Sequence, residues 1–405
     1  MAVSETIEVR GHILDSLVLA KILDLIVDAG ADYCLLDLDV GRSNANPSVA
    51  RLAVTAADEA ALARLLAELH PHGAAPVDAA DATLEPAPAD GVLPAGFYAT
   101  TNLPTSVRAG GRWIDVGRPE MDCALVVDVG RSTAAAVPMH RVAAGDPVLV
   151  GIGGVRVRPR EKPRGARAFE FMTSEVSAEK PKGLLVARVA ERMRAAREAG
   201  GRLLVVPGPA VIHTGAGAHL AALVRDGWVD ALFTGNGFAT HDIEASLLGT
   251  SLGVPVDGGI GGEDPAANHL RAINEVRRWG SIGAGVEAGR LRDGVMFECV
   301  RRGVPFVLGG SVRDDGPLPD VVTDVVAAQD RMRTHLDGVR LALMLASTLH
   351  AVAVGNLLAA EVEIYCIDIN QAVVTKLADR GTSQALGIVT DVGLFVRELA
   401  EALGA

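Results

Sequence analysis

Residues 230–244, DALFTGNGFATHDIE, decide the fold. The apolar run through Phe233 reads as a buried strand. The chain then leaves through Gly235, Asn236 and Gly237 and opens a helix near Thr240, His241, Asp242 and Glu244. Thr240 suits a helix cap, and the two acidic residues suit the positive end of a helix dipole. Capping requires neither His241 nor Asn236 at the strand end, so the same junction also suits one wall of an active site. A strand that passes directly into a helix is the unit of a layered α/β domain.

Working outward, the pattern repeats from about residue 175 onward. RLLVVPG, DALFTGN, VPFVLGGS, RLALMLAST, VEIYCIDIN and GIVTDVG are mostly continuous apolar runs, as parallel strands covered on both faces require. Helical segments such as GAHLAALVRDG and NHLRAINEVRRWG alternate with them. A doubly wound parallel sheet is expected over 171–405. In such sheets ligands bind outside the carboxyl ends of the strands. Those ends read Pro207-Gly208-Pro209, Gly235-Asn236, Gly309-Gly310-Ser311, Ser347-Thr348, Asp368-Ile369-Asn370 and Thr390-Asp391. Six polar or glycine-rich ends on one edge favour a nucleotide site. HTGAGAHL supplies Gly215 and Gly217, but the third glycine of a GxGxxG fingerprint falls on Leu220. Asp368 is a stronger signal: a strand-end aspartate accepts from a ribose diol and repels a 2′-phosphate, favouring NAD over NADP.

Upstream, residues 1–90 read as β-α-β-β-α, a small ferredoxin-like or ACT-like α+β domain. Here SLVLAKILDLIVDAG stops at Gly30, and DEAALARLLAELHPHG forms a second amphipathic helix. AAPVDAADATLEPAPADGVLPAG then has the composition of a linker. Residues 91–170 are rich in short strands, with a hairpin at Gly110-Gly111, and are expected to form a β-rich subdomain.

The 405 residues carry a formal net charge of −12 and no long basic block, which speaks against a nucleic-acid partner. Aromatics are only 3%, so Ala, Val and Leu build the core. Cys34, Cys123, Cys299 and Cys366 are far apart and form no Cys/His cluster, so no metal is expected. Buried free thiols suit a reducing cytoplasm. The N-terminus does not read as a signal peptide, and no apolar run reaches the ~20 residues a membrane span needs. A homo-oligomer is expected from the Ala-rich amphipathic faces.

Other candidates for chemistry lie in turns. SVRDDGPLPD brings together Arg313, Asp314 and Asp315. An arginine holds a carboxylate bidentately, and a carboxylate holds an ammonium or takes its proton. The alternative is an Arg–Asp ion pair within the loop. His213, Glu175 and His350 are further candidates in polar turns; a lone histidine is more often structural.

Together, GFYATTNLPT, FMTSEVSAEKP, GPAVIHTGA, GNGFATHDIE, PFVLGGSVRDDGPLPD, HAVAVGNLL and DINQAVVTKLADRG resemble the archaeal-type ornithine cyclodeaminase family. That family also forms the C-terminal part of bifunctional arginine dihydrolase/ornithine cyclodeaminases. GHILDSLVLAKILD is similar to the region shared with lysine-ketoglutarate reductase/saccharopine dehydrogenase proteins. The resemblance implies a C-terminal NAD domain similar to that of deoxyhypusine synthase. It also implies conversion of L-ornithine to L-proline and ammonia with NAD recycled. The NAD contacts it implies are Asn236, Gly237, Asp315, the turn Ser347, Thr348, Leu349 and His350, and Asp368, Asp391 and Val392. The chain departs from the family pattern at Gly237-Phe238. For the chemistry, Arg313 is the expected carboxylate clamp, while Asp242, Asp314 and His241 compete as the base. Two rival readings stay open: an NAD enzyme acting on another diamine or amino acid, and a non-catalytic sensor of NAD or an amino acid.

Overall fold

The computed structural model describes residues 2–14, 16–42, 46–77, 79–159, 176–177, 182–256, 267–312, 314, 316–379 and 385–405. It divides into two compact units, Met1–Met172 with Asn356–Glu361, and Thr173–Gly355 with Val362–Ala405.

The first unit begins with β1 (Val3–Gly11), α1 (Val18–Asp28), β2 (Asp32–Asp39), β3 (Ser48–Ala56), α2 (Glu59–Leu69) and β4 (Ala75–Pro76). The strands form an antiparallel sheet in the order β2-β3-β1-β4, the arrangement of a ferredoxin-like plait. Helical spacing explains the packing. α1 buries Leu19, Ile22 and Ile26, and α2 buries Leu62, Leu65 and Leu69, against Ile7, Val9, Leu52 and Val54. Asp58 caps α2 by accepting from the Ala61 N–H. Gly30, past the end of α1, takes φ +68°, a left-handed conformation that glycine adopts without strain.

A second sheet follows, of β5 (Thr83–Pro86), β6 (Thr105–Ala109), β7 (Arg112–Gly117), β8 (Ala124–Asp128), β9 (Thr133–Val137), β10 (Pro147–Val150) and β11 (Val155–Val157). Its order is β11-β6-β7-β9-β8-β10-β5. The β6–β7 hairpin turns at Gly110-Gly111, as its sequence predicts, with φ +59° and +74°. The Ala/Pro/Asp-rich segment read as a linker is not one. It supplies β4 to the first sheet and β5 to the second, both at an edge, where a proline costs no ladder hydrogen bond. Of the four thiols, Cys123, Cys299 and Cys366 are buried, whereas Cys34 is exposed on the edge strand β2.

Between these sheets the buried His70 imidazole meets the Tyr98 hydroxyl at 3.2 Å. Burial pushes His70 down to about 4 and Tyr98 up to about 12. A lowered imidazole makes folding stability complete above the unfolded value of 6.5 and lost as pH falls toward 4. We expect roughly 3 kcal/mol to disappear across that window. Urea titrations at stepped pH should show this slope in the wild type and a flattened one in His70→Gln.

The second unit is one parallel sheet of eight strands: β12 (Val176–Ser177), β13 (Arg202–Pro207), β14 (Ala231–Gly235), β17 (Phe306–Gly309), β18 (Val321–Val322), β19 (Val339–Leu345), β20 (Glu363–Asp368) and β21 (Ala385–Val389). A short hairpin, β15 (Thr250–Ser251) with β16 (Val254–Pro255), lies apart from it. The helices are α3 (Lys182–Glu198), α4 (Ala210–His213), α5 (Gly217–Arg225), α6 (Asn236–Leu248), α7 (Asn268–Trp279), α8 (Ile282–Glu287), α9 (Val295–Arg302), α10 (Val325–Arg333), α11 (Leu349–Leu357), α12 (Gln371–Asp379) and α13 (Val392–Leu403). Sheet order is β12-β21-β20-β19-β13-β14-β17-β18. With β13 counted as first, the central six strands read 3-2-1-4-5-6, the doubly wound dinucleotide-fold order. The six strands read from sequence are all present. The two-residue edges β12 and β18 are too short to leave a periodic signal.

Candidate active site

The winding reverses between β13 and β19, which places a crevice outside their carboxyl ends. Glycine sets how close the two ends come. The Gly208 N–H donates to the Leu345 carbonyl at 2.7 Å, and a Cβ at 208 would lie 1.9 Å from the Ala346 carbonyl oxygen. A cavity of about 540 Å³ opens there, lined from Pro207–Pro209, the start of α6, α7, Ser311, Asp314 and the turn from Ala346 to His350.

The quoted junction forms one wall. α6 begins at Asn236, with the extended Gly235 at the cap position five residues before Thr240 and no capping side chain. Thr240 therefore lies inside the helix, buried, with its hydroxyl donating to Asn236 Oδ1 at 3.5 Å. Asn236 Oδ1 also accepts from the Leu318 N–H at 3.0 Å. Asn236, Gly237 and Phe238 all line the cavity, so the uncapped amino end of α6 faces it.

A second wall is histidine-rich. His213, His241 and His269 line the cavity from α4, α6 and α7. The rings of His213 and His241 lie 4.7 Å apart, and those of His241 and His269 lie 6.4 Å apart. His241 Nδ1 is 2.8 Å from Glu244 Oε2, and His213 Nδ1 is 2.7 Å from the Ser251 hydroxyl. Burial and the neighbouring His241 hold the His213 imidazole below its usual value. No cluster of metal-binding side chains is found among the described residues.

The third wall carries His350. Its ring sits in a slot between two strand ends, 2.8 Å from where a Cβ on Gly235 would stand and 3.3 Å from one on Gly309. Burial lowers its imidazole, with Asp314 opposing. Asp314 itself accepts from the Ser311 N–H at 2.9 Å.

Of the residues proposed from sequence, Asn236, Gly237, His241, Asp314, Ser347, Thr348, Leu349 and His350 converge on this cavity, and His213 joins them. Asp242 does not line it. Its two oxygens accept from the Val295 and Met296 N–H groups at 2.9 and 2.8 Å, which makes it the cap of α9. Asp368 ends β20 and Asp391 and Val392 follow β21, on the same carboxyl edge but outside the cavity lining. Asp391 caps α13 through the Leu394 N–H. Gly215 and Gly217, from the incomplete glycine fingerprint, are not among the lining residues. Arg313, Asp315 and Glu175 lie outside the described residues. Sequence reasoning missed His269, which sits in an ordinary amphipathic helix, and the Glu244 contact, since i,i+3 spacing to His241 reads simply as helix.

The family model described as arginine dihydrolase ArgZ-like, C-terminal, Rossmann fold matches residues 187–399. Its companion first region matches 104–186, and the LOR/SDH bifunctional enzyme conserved region matches 4–103. The ornithine cyclodeaminase of Methanopyrus kandleri is 52% identical over 400 residues, covering 98% of this chain and 97% of that protein. This chain belongs to the ornithine cyclodeaminase family. A second member, from Methanocaldococcus jannaschii, is 51% identical over 403 residues, 98% of this chain and 95% of that one. Among solved structures, apo ArgZ, an arginine dihydrolase from cyanobacteria, superposes with TM-score 0.85 at 38% identity, covering all of this chain and 58% of ArgZ. The ternary complex of AgrE with ornithine and NAD+ matches at 42% identity with TM-score 0.54, again over 100% of this chain and 58% of that one. The cyclodeaminase family thus accounts for the whole chain.

Proposed function

We propose that the chain is an NAD-dependent ornithine cyclodeaminase, releasing L-proline and ammonia from L-ornithine. The observation that carries this is the crevice at the strand reversal, where the uncapped start of α6 and four histidines open into one cavity. The donor set fits a dinucleotide: free helix amides suit its phosphates, and the strand-end Asp368 suits a ribose diol. Asp368 Oδ1 accepts from the Asn370 N–H, leaving Oδ2 for a hydroxyl. We assign Asn236, Gly237, Asp315, Ser347, Thr348, Leu349, His350, Asp391 and Val392 to the same cofactor. Bound there, NAD would supply reversible hydride transfer at the substrate α-carbon, with the hydride taken from the amino acid and restored to the cyclic imine, so that no net redox results.

The protein's own groups handle binding and protons. An ammonium must lose its proton before it reacts, and His241 in the cavity wall is the base for it. His213, its imidazole lowered by burial and by the neighbouring His241, is placed beside it on the path of the departing ammonia. Phe238, Leu252 and Ile273 give that wall an apolar surface, the kind of surface an imine needs beside it to be spared hydrolysis. Arg313 keeps the carboxylate role on its residue type and sequence position. We place Asp314, beside His350, toward a substrate ammonium. The buried thiols accord with a cytoplasmic protein. The exposed Tyr33, Leu35 and Leu38 on the edge strand β2 accord with a homo-oligomer. No helix among the described residues is long and apolar enough to cross a membrane.

Purified protein incubated with L-ornithine and catalytic NAD+ should give proline and ammonia with no build-up of NADH absorbance. NADH accumulation would indicate an amine dehydrogenase instead, and NAD binding without turnover of any amino acid would indicate a sensor. A second expectation concerns cofactor affinity. Gly235 has φ −107°, which alanine adopts freely, so Gly235→Ala keeps the backbone and pushes His350 from its slot. We expect Kd for NAD+ to rise about tenfold, read by fluorescence titration, with thermal stability of the free protein nearly unchanged.

A further inference from the structure

We infer that Glu244 is the positioning residue that fixes the tautomer of His241, an assignment that rests on the role of His241 proposed above. Glu244 is fully buried, with 0% relative exposure, one helical turn beyond His241. Its carboxylate is saturated with donors. Oε1 accepts from the Thr250 hydroxyl at 2.9 Å and the Gly253 N–H at 2.9 Å, and Oε2 accepts from the Leu252 N–H at 3.2 Å. His241 Nδ1 reaches the same Oε2 at 2.8 Å. A buried carboxylate in such a cradle is held ionised: the donors outweigh burial and lower it from its usual value.

The consequence for the imidazole is chemical. An ionised carboxylate has no hydrogen to give, so the contact exists only if Nδ1 carries the proton. In a neutral imidazole that leaves the lone pair on Nε2, which is the nitrogen available to a substrate ammonium. The hairpin β15–β16 and the residues that join its strands therefore act through Glu244 on the base. His213 and His269, the other titratable rings facing His241, contact it through ring faces and edges and leave Nδ1 to Glu244. Glutamine at 244 keeps the shape and reverses the logic. Its amide nitrogen would point at N–H donors or at Nδ1, which favours the Nε2–H form and removes the lone pair from the cavity.

The test is long-range ¹H–¹⁵N correlation on full-length protein labelled with ¹⁵N-histidine, His241 being assigned by its absence in His241→Asn. The wild type should show protonated Nδ1 and unprotonated Nε2. In Glu244→Gln the pattern should invert or mix, and kcat should fall about 10²- to 10³-fold with KM for ornithine within about threefold. Thr250→Ala removes one of the donors to Glu244, together with the acceptor of the Asn268 side-chain N–H, and should keep the wild-type pattern with less than a tenfold loss of kcat. A wild-type spectrum with Nε2 protonated would overturn the inference even if Glu244→Gln failed to fold. So would a folded Glu244→Gln with an unchanged tautomer. A changed tautomer with kcat intact would uphold the role of Glu244 on the ring and remove His241 from the reaction instead.

Discussion

His241→Asn is expected to lower kcat by about 10²- to 10⁴-fold, the usual contribution of a positioned general base. The substitution is mild for the fold. His241 lies at the cavity wall rather than inside the main apolar cluster, and asparagine still offers an N–H toward Glu244. KM for ornithine should change little, since the ring is assigned to proton transfer and not to holding the substrate carboxylate. The effect is read in a steady-state assay of proline and ammonia. NAD+ titration of the same variant separates loss of chemistry from loss of cofactor. A variant that binds NAD+ normally and turns over within threefold of wild type would remove His241 from the mechanism and leave Asp314 as the remaining candidate base in the cavity.

Asp242→Ala should act on stability. Truncation leaves the buried Val295 and Met296 N–H groups at the start of α9 without an acceptor. The lost cap and two orphaned donors together cost about 3 kcal/mol. Cys299, Met296 and Val295 on α9 belong to the central apolar cluster, so the loss should spread through the second unit. Urea denaturation measures it. Asp242→Asn retains one acceptor and should keep kcat within a few-fold per folded molecule, which a catalytic carboxylate would not. The pH dependence has a definite sign. Burial pushes the Asp242 carboxyl up to about 6 from its ordinary 3.8, against the pull of the two backbone N–H groups. The folded state thus holds this proton more tightly than the unfolded chain. Its contribution is complete below 3.8 and is lost as pH rises through about 6, a slope that Asp242→Asn should abolish.

Much of this molecule is legible from residue order. Continuous apolar runs ending in Gly, Pro, Asp or Asn specify the six central parallel strands, because strands covered on both faces have no polar side to alternate. The amphipathic helices ending at Gly30 and following Asp58 specify the plait, because spacing and caps are local properties. The strand-end rule then places Asn236, Ser347 and His350 near one ligand without any knowledge of distances. Other features depend on groups far apart in the chain. Asp242 and His241 are adjacent, yet one caps α9, 53 residues on, while the other faces the cavity. Only the packing of α6 decides which carboxylate is structural. His269 and His213 lie in separate helices and meet His241 only when α4, α6 and α7 pack around the same crevice. Residue order by itself determined which elements form and which edge binds. The tertiary structure decided which titratable groups share one cavity and which are spent on helix ends, since desolvation and hydrogen-bond geometry are set by neighbours the local sequence does not contain.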